Sequence, residues 1–238
     1  MTDSSEIIFT SYCFDNKEMG DYHSQQIRLK DSILSIYPDA NLNFQHESEE
    51  IGKPKFQASL YGFKVRLVQE CLDKGFKKII FFDPAITLVD KVDYWFDIIK
   101  DYGVLAATDR QPLDNVTSDN CLNYMGLTRE QVSTWNLLGG SVYVFDFDIP
   151  KCVAIFEMWE KMEKDGIFGT QDDLSHGRLQ AHRNDETCMA IAFELNGIKP
   201  LGHDVIRYAY EHPETKKIHH QFKEGEEVKL VILKKHFK

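Results

Sequence analysis

Apolar runs broken by glycine, proline and charged stretches outline the chain. The run Ile79-Ile80-Phe81-Phe82 shows no alternation, which suits a strand buried on both faces in the middle of a mainly parallel sheet. Before it, Leu60, Phe63, Leu67 and Cys71 form one stripe with Lys64, Val68 and Leu72 beside it. That spacing predicts a core-facing helix, and Gly75 stands where a left-handed C-terminal cap belongs. Helix followed by buried strand is half of a βαβ unit.

The same reading extends along the chain. A strand is expected at 7–10, opening into a polar and aromatic loop at 11–16. A helix at 22–37 carries Ile27, Leu34 and Tyr37 and is stopped by Pro38-Asp39. A short strand at 41–44 and a charged loop at 46–55 follow. A helix at 91–100 and a strand at 104–107 make a second helix–strand step. Residues 108–135 read as a long polar excursion with one short helix near 128–132, and long excursions in compact domains are usually functional. Gly139-Gly140 precedes a strand at 141–145. Pro150 opens a helix at 150–164 that turns Val153, Phe156 and Trp159 inward. A polar segment at 165–183 leads to a helix at 185–195, closed by Asn196-Gly197. Short late strands are expected at 198–201 and 228–233, and the basic tail 234–238 reads as solvated. With no repeat and no compositional break, the chain reads as one α/β domain over 1–238.

Composition narrows the class. The chain has 238 residues, 42% hydrophobic and 28% charged, as ordinary globular proteins do. A formal charge of −10 argues against a nucleic-acid partner, but a nucleotide can still be neutralised locally. Five cysteines, an odd number without a CxxC pair, favour buried thiols in a reducing compartment over a disulfide frame or a zinc site. The first residues offer neither a basic nor an apolar leader, and no apolar run reaches the ~18 residues of a membrane span. The expectation is therefore a cytoplasmic protein without a transmembrane segment. The sequon at Asn115-Val116-Thr117 carries no weight in such a chain.

The chemistry centres on Asp83, delivered by the buried strand to a turn marked by Pro84. In open α/β sheets, ligands sit outside the carboxyl ends of the strands, so Asp83 is placed to anchor a divalent cation or a ribose. The plain alternative is an aspartate that starts a turn. His182-Arg183-Asn184-Asp185-Glu186 lies at a helix start, where Asn184 would cap and both acids would complement the helix dipole; a carboxylate there could equally take a proton from a hydroxyl. His203-Asp204 is a weaker polar pair. No GxxxxGK[ST], GxGxxG or GxSxG pattern is present, so the P-loop, dinucleotide and hydrolase-elbow readings lack their local signatures.

Tyr61-Gly62-Phe63-Lys64 on the helix, the apolar strand with Asp83-x-Ala85, then Gly139-Gly140-Ser141-Val142 and a late His219 together resemble the nucleotide-sugar glycosyltransferases of the GT-A fold. The resemblance implies a Rossmann-like fold with a central mixed, mainly parallel sheet flanked by helices. It implies a nucleotide-binding half at about 1–110 and an acceptor and catalytic half at about 111–238. In that family an Asp-x-Asp motif holds Mn²⁺ or Mg²⁺ against the donor diphosphate. Here Asp83 is the first acid and Ala85 replaces the second, so the ion would be held by one carboxylate plus phosphate oxygens, or not used.

The resemblance also implies roles for single residues. Asp83 and His219 would hold the metal, and Lys64 would meet the diphosphate. Thr10, Ser11, Tyr12 and Asn16 would line the base pocket, with Tyr12 stacking on the ring. Ala85, Gly139 and Gly140 would approach the donor, and Asp185 and Glu186 would be base or sugar ligands. The partners implied are a nucleotide-diphosphate sugar donor and a glycan or sugar acceptor, with acceptor selection in 108–135 and 165–183. A sugar nucleotidyltransferase and a non-catalytic nucleotide-sugar or glycan-binding module of the same fold remain as alternatives. The first would usually carry a Gly-rich basic loop after the first strand, which Ser11 to Asn16 is not.

Overall fold

The computed structural model describes residues 4–15, 21–48, 61–169, 182–211, 218–220 and 232–235. Along the chain its elements are β1 (Ile7–Asp15), α1 (Tyr22–Ile36), β2 (Asn41–Ser48), α2 (Phe63–Asp73), β3 (Lys78–Phe82), β4 (Ile86–Leu88), α3 (Tyr94–Ile98) and β5 (Val104–Pro112). There follow α4 (Asp119–Met125), α5 (Arg129–Val132), β6 (Asn136–Asp146), α6 (Pro150–Lys164), α7 (Asn184–Leu195), α8 (His203–Ile206), β7 (Tyr208–Glu211), β8 (Ile218–His220) and β9 (Ile232–Lys235).

The main sheet has the order β2-β1-β3-β6-β5, so β3 lies at its centre. β1 pairs parallel with β2 and with β3, whereas β6 runs antiparallel to both β3 and β5. The sheet is therefore mixed, with β6 reversed among strands that otherwise point one way. Side chains of a strand alternate between faces, and the core divides accordingly. Ile79 and Phe81 join Tyr143, Phe145, Trp159 and Met189 on the face covered by α2, α6 and α7. Ile80 and Phe82 join Phe9, Leu29, Ile33 and Trp95 on the face covered by α1 and α3. All four apolar residues of β3 are fully buried, as an unbroken apolar run between two helical layers requires.

The helices with strong periodicity start and stop for visible reasons. Asp21 caps α1 by accepting the Ser24 N–H at 2.8 Å. Asp15, at the end of β1, accepts from the N–H groups of Tyr22 and His23 at 2.8 and 3.0 Å. α2 ends at Gly75, which takes φ +90°, a conformation glycine adopts without penalty. α6 starts with Pro150 in its first turn.

Several expected boundaries move. β1 continues through Ser11 to Asp15 and β2 continues to Ser48, because the polar ends of the two strands pair in register from Ser11↔Phe44 to Asp15↔Ser48. The helix expected at 91–100 is the single turn and a half of α3. β5 runs on to Pro112, and the excursion behind it holds α4, capped by Ser118, as well as the expected α5, whose Thr128 and Gln131 form a capping box. Gly139 and Gly140 lie inside β6 with ordinary φ values, not in a turn. At 198–201 only a bridge from Leu201 to Ala107 forms. Lys234 and Lys235, expected in a solvated tail, belong to β9. Asn16, Leu60 and residues 49–55, 170–181 and 228–231 lie outside the described residues.

A second sheet, β4-β9-β7-β8, has no counterpart in the expected elements apart from β9. Its Ile86, Leu88 and Ile232, together with Ile206 of α8, pack into the same core as Phe9, Phe82 and Trp95. It thereby braces the turn that carries Asp83. No helix among the described residues is long and apolar enough to cross a membrane.

Candidate active site

Three elements converge at the carboxyl end of β3. β3 delivers Asp83, whose N–H donates to the Ser141 carbonyl of β6 at 2.9 Å. The first turn of α2 supplies Lys64, and the first turn of α7 supplies Asp185 and Glu186. Between them lies a cavity of about 370 Å³ lined by Tyr61, Phe63, Lys64, Asp83, Gly140, Ser141 and residues 182–186.

The pair Lys64–Asp185 organises this cavity. The ammonium is 2.6 Å from Asp185 Oδ2 and also donates to the Gly140 carbonyl at 3.0 Å. It sits 5.4 to 5.5 Å from the ring centres of Tyr61, Phe81 and Tyr143, in cation–π range. Tyr143 donates to the same Asp185 oxygen at 3.3 Å, and Trp159 Nε1 donates to the Asp185 carbonyl at 3.1 Å. Both charged groups are buried. Desolvation works against such a pair, which persists only when its geometry and hydrogen bonds are good.

Burial is the largest influence on both ionisations. It pulls Lys64 down, but the carboxylates of Asp185, Asp83 and Glu186 together hold the ammonium above its ordinary pKa. For Asp185, burial outweighs Lys64 and, helped by Glu186, pushes the carboxyl up to about 6. The pair is thus charged at neutral pH, with Asp185 within reach of protonation in mild acid.

Gly140 is the contact point of α2, β6 and α7. Its N–H donates to Glu186 Oε1 at 2.9 Å while its carbonyl accepts from Lys64. A Cβ there would lie 2.7 Å from Lys64 Nζ and 2.8 Å from Glu186, whereas one at Gly139 would meet only the Ala107 carbonyl, at 3.8 Å. Close approach, not positive φ, demands glycine at 140. Glu186 is held from its other side by Arg183, at 2.9 Å from Nε and 2.8 Å from Nη2.

His182 is structural. Its Nδ1 accepts the Ser118 N–H at 3.3 Å, so Nε2 carries the proton and donates to the Ile167 carbonyl at 3.0 Å. Burial lowers its pKa to about 4 and keeps it neutral. It lies beside the thiols of Cys121 and Cys188, yet with both ring nitrogens engaged it has no lone pair to offer a metal. Asn184 does not cap α7 as expected. It takes φ +46° and its amide donates to the Phe168 carbonyl.

Of the residues expected from sequence, Lys64, Asp83, Gly140, Asp185 and Glu186 meet in the cavity. Among the described residues, Thr10, Ser11, Tyr12, Ala85 and Gly139 do not line it. Thr10 is buried and donates to the Asn43 carbonyl at 3.0 Å, and Ser11 is buried within β1. The Tyr12 ring packs on Phe63 at 4.7 Å and its hydroxyl donates to Glu47 at 3.3 Å. Ala85 is buried, and its carbonyl accepts from Arg28 at 3.0 Å. His219 lies in β8, opposite Tyr210. Sequence reasoning assigns no site role to Tyr61, Phe63 or Tyr143. Tyr143 carries no signal of its own, being one aromatic residue within an apolar strand.

A hard divalent cation needs only one or two carboxylates when phosphate oxygens complete its shell. Asp83 supplies one on the cavity wall and Ala85 supplies none. Neither three-ligand group found among the described residues includes Asp83: Cys121/His182/Cys188 meets the cavity only through His182, and Asp15/His23/His46 does not line it. Among the described residues, the donor set therefore fits an ion that arrives with a diphosphate.

No family model matches the chain, and no curated protein matches it. Solved structures do. A glycosyltransferase involved in the glycosylation of the major capsid of PBCV-1 is 13% identical, with 96% of this chain and 91% of that one covered at a TM-score of 0.51. The apo structure of the bifunctional glycosyltransferase WbbM is 11% identical, with 89% of this chain and 41% of that one covered at 0.52. An active-site mutant of LgtC is 9% identical, with 96% and 86% covered at 0.50. At these identities the likeness shows the fold: this chain has the mixed α/β fold of GT-A glycosyltransferases.

Proposed function

We propose that the protein is a glycosyltransferase that moves a sugar from a nucleotide-diphosphate donor to a hydroxyl acceptor. The observation that supports this most is the buried Lys64–Asp185 pair facing Asp83 across one cavity at the carboxyl end of the central strand. A buried ammonium fixed in a polar-walled site is a strong counter-charge for a departing diphosphate, since it needs no reorganisation as charge develops.

In this reading the acceptor oxygen bonds to the anomeric carbon as the bond from that carbon to the diphosphate oxygen breaks. The electron pair leaves with the nucleoside diphosphate, and the acceptor proton passes to a carboxylate. Lys64 meets the diphosphate. Asp185 orients Lys64, and with Glu186 it presents carboxylate oxygens to sugar hydroxyls or to the acceptor proton. Asp83 would hold Mn²⁺ or Mg²⁺, whose charge would offset that of the phosphates. Much of the rate enhancement then comes from holding donor and acceptor in line.

A panel of nucleotide sugars, assayed for hydrolysis and for transfer with Mn²⁺ present, tests this. Turnover that disappears in Asp83→Ala and Lys64→Met supports the transferase. Tight nucleotide-sugar binding without turnover supports the binding module instead, and release of pyrophosphate from a sugar phosphate and a nucleoside triphosphate supports the nucleotidyltransferase.

A further inference from the structure

The cavity lining combines charged groups, Lys64, Asp83, Asp185, Glu186 and Arg183, with the aromatic side chains of Tyr61 and Phe63. Tyr61 stands just before α2 with φ +66°, a conformation that is an outlier for a bulky side chain. Asn184, the other cavity residue at positive φ, is of a type that tolerates it and is tied down by its amide. The tyrosine has no such excuse. Its backbone is held because its carbonyl accepts the Lys64 N–H at 3.1 Å in the turn that opens α2. Strain of this kind persists where the surroundings over-determine it, and it gathers at functional sites.

Tyr61 lines the cavity and is 46% exposed, one of the large hydrophobic residues left in solvent among the described residues. The ring centre is 6.2 Å from that of Phe63, and Lys64 Nζ lies 5.4 Å from it. Burial raises the pKa of its hydroxyl most, with Asp185 and Glu186 adding to the rise and Lys64 and Arg183 opposing it. Tyr61 therefore shares the cavity with the carboxylates of the first turn of α7. An exposed aromatic face beside carboxylates matches one ligand chemistry closely: a pyranose ring, whose C–H face is apolar and whose rim of hydroxyls needs acceptors.

We infer that Tyr61 is a stacking platform for the acceptor, which is itself a pyranoside, and that the ring turns an acceptor hydroxyl toward Asp185 and Glu186. This rests on the transferase reading.

The test compares Tyr61→Phe, Tyr61→Ala and Tyr61→Gly, using the nucleotide sugar that the native protein turns over and the methyl pyranosides of glucose and galactose as acceptors. In Tyr61→Ala the acceptor KM rises about tenfold, as loss of ~1.4 kcal/mol of binding would give, and the donor KM stays within about twofold. Tyr61→Phe keeps the native acceptor KM. Tyr61→Gly accepts φ +66° without strain, so it melts above Tyr61→Ala yet shows the same rise in acceptor KM; the loss then follows the ring and not the fold. An unchanged acceptor KM in Tyr61→Ala, a donor KM that rises with it, or a Tyr61→Phe as impaired as Tyr61→Ala overturns the platform while leaving the transferase reading intact. If no nucleotide sugar is turned over, the transferase reading falls. The platform is then decided by saturation-transfer NMR with the same methyl pyranosides. A pyranoside signal that the native protein gives and Tyr61→Ala abolishes upholds it; no signal, or an equal one from both proteins, overturns it.

Discussion

Two strand ends of the main sheet carry polar residues, and they differ in how those residues are used. At the end of β3, Lys64, Asp83, Asp185 and Glu186 come from three elements and face a common cavity. At the end of β1, Thr10, Tyr12 and Asp15 are consumed within the fold, on Asn43, Glu47 and His46 and on the start of α1. Most of these groups find partners, although the buried Ser11 hydroxyl of β1 is left without one among the described residues. Only the first keeps buried full charges opposite one another, which is costly for folding and useful for a ligand of high charge. A polar residue at a strand end is thus weak guidance to a site. A charge that the fold buries next to a cavity is better guidance.

The sharpest way to break this contrast is to remove one partner of the buried pair. Lys64→Met leaves the Asp185 carboxylate without its cation and should cost about 3–5 kcal/mol in urea unfolding, whereas Lys64→Met combined with Asp185→Leu should recover most of that loss. A single variant as stable as native would show that the pair does not organise the site.

The glycines give the next largest effect. Gly140→Ala puts a methyl 2.7 Å from Lys64 Nζ, an overpacking that costs about 1–3 kcal/mol and displaces the ammonium, so nucleotide binding should weaken too. Gly139→Ala, with its nearest contact at 3.8 Å, should be nearly silent in both measurements. Equal effects at the two positions would mean that close approach is not what Gly140 provides.

Sequence pattern makes part of this legible. β3, α2 and α6 follow from periodicity and length, and Lys64, Asp83, Gly140, Asp185 and Glu186 each stand out along the chain without their convergence being visible there. The second sheet is not legible, because β4 and β8 have three residues each, too few for a period to show. The polar ends of β1 and β2 read as loops because backbone pairing holds them, and pairing leaves no apolar pattern. The surroundings of Tyr12 and Tyr143 are illegible for one reason. A tyrosine in a strand shows neither which face it takes nor what its hydroxyl meets. Here Tyr12 is packed on Phe63, and Tyr143 serves Asp185.

At the β1 end the expected effect is small. Tyr12→Phe deletes only the hydroxyl that donates to Glu47, so it should cost about 0.5–1.5 kcal/mol and leave nucleotide affinity unchanged. A marked loss of affinity would return Tyr12 to the site.

A pH dependence probes the buried pair from another side, with opposite signs in stability and activity. The folded Asp185 carboxyl, raised to about 6 mainly by burial, binds its proton more tightly than the unfolded one. Its contribution to stability therefore grows as pH falls from about 6 toward 4, over the interval in which activity that needs the carboxylate is lost. Unfolding free energy measured against pH in the native protein and in Asp185→Asn isolates this contribution, which should be missing from the variant.

Calorimetric titration of UDP and the other nucleoside diphosphates, with Mn²⁺ present, into the native protein and into the combined Lys64→Met, Asp185→Leu variant tests the role of the buried pair most directly. The native protein should bind at least one diphosphate saturably, and a variant that remains folded should bind it at least tenfold more weakly. Equal affinity in the two proteins, or no binding by the native one, would contradict the proposed site.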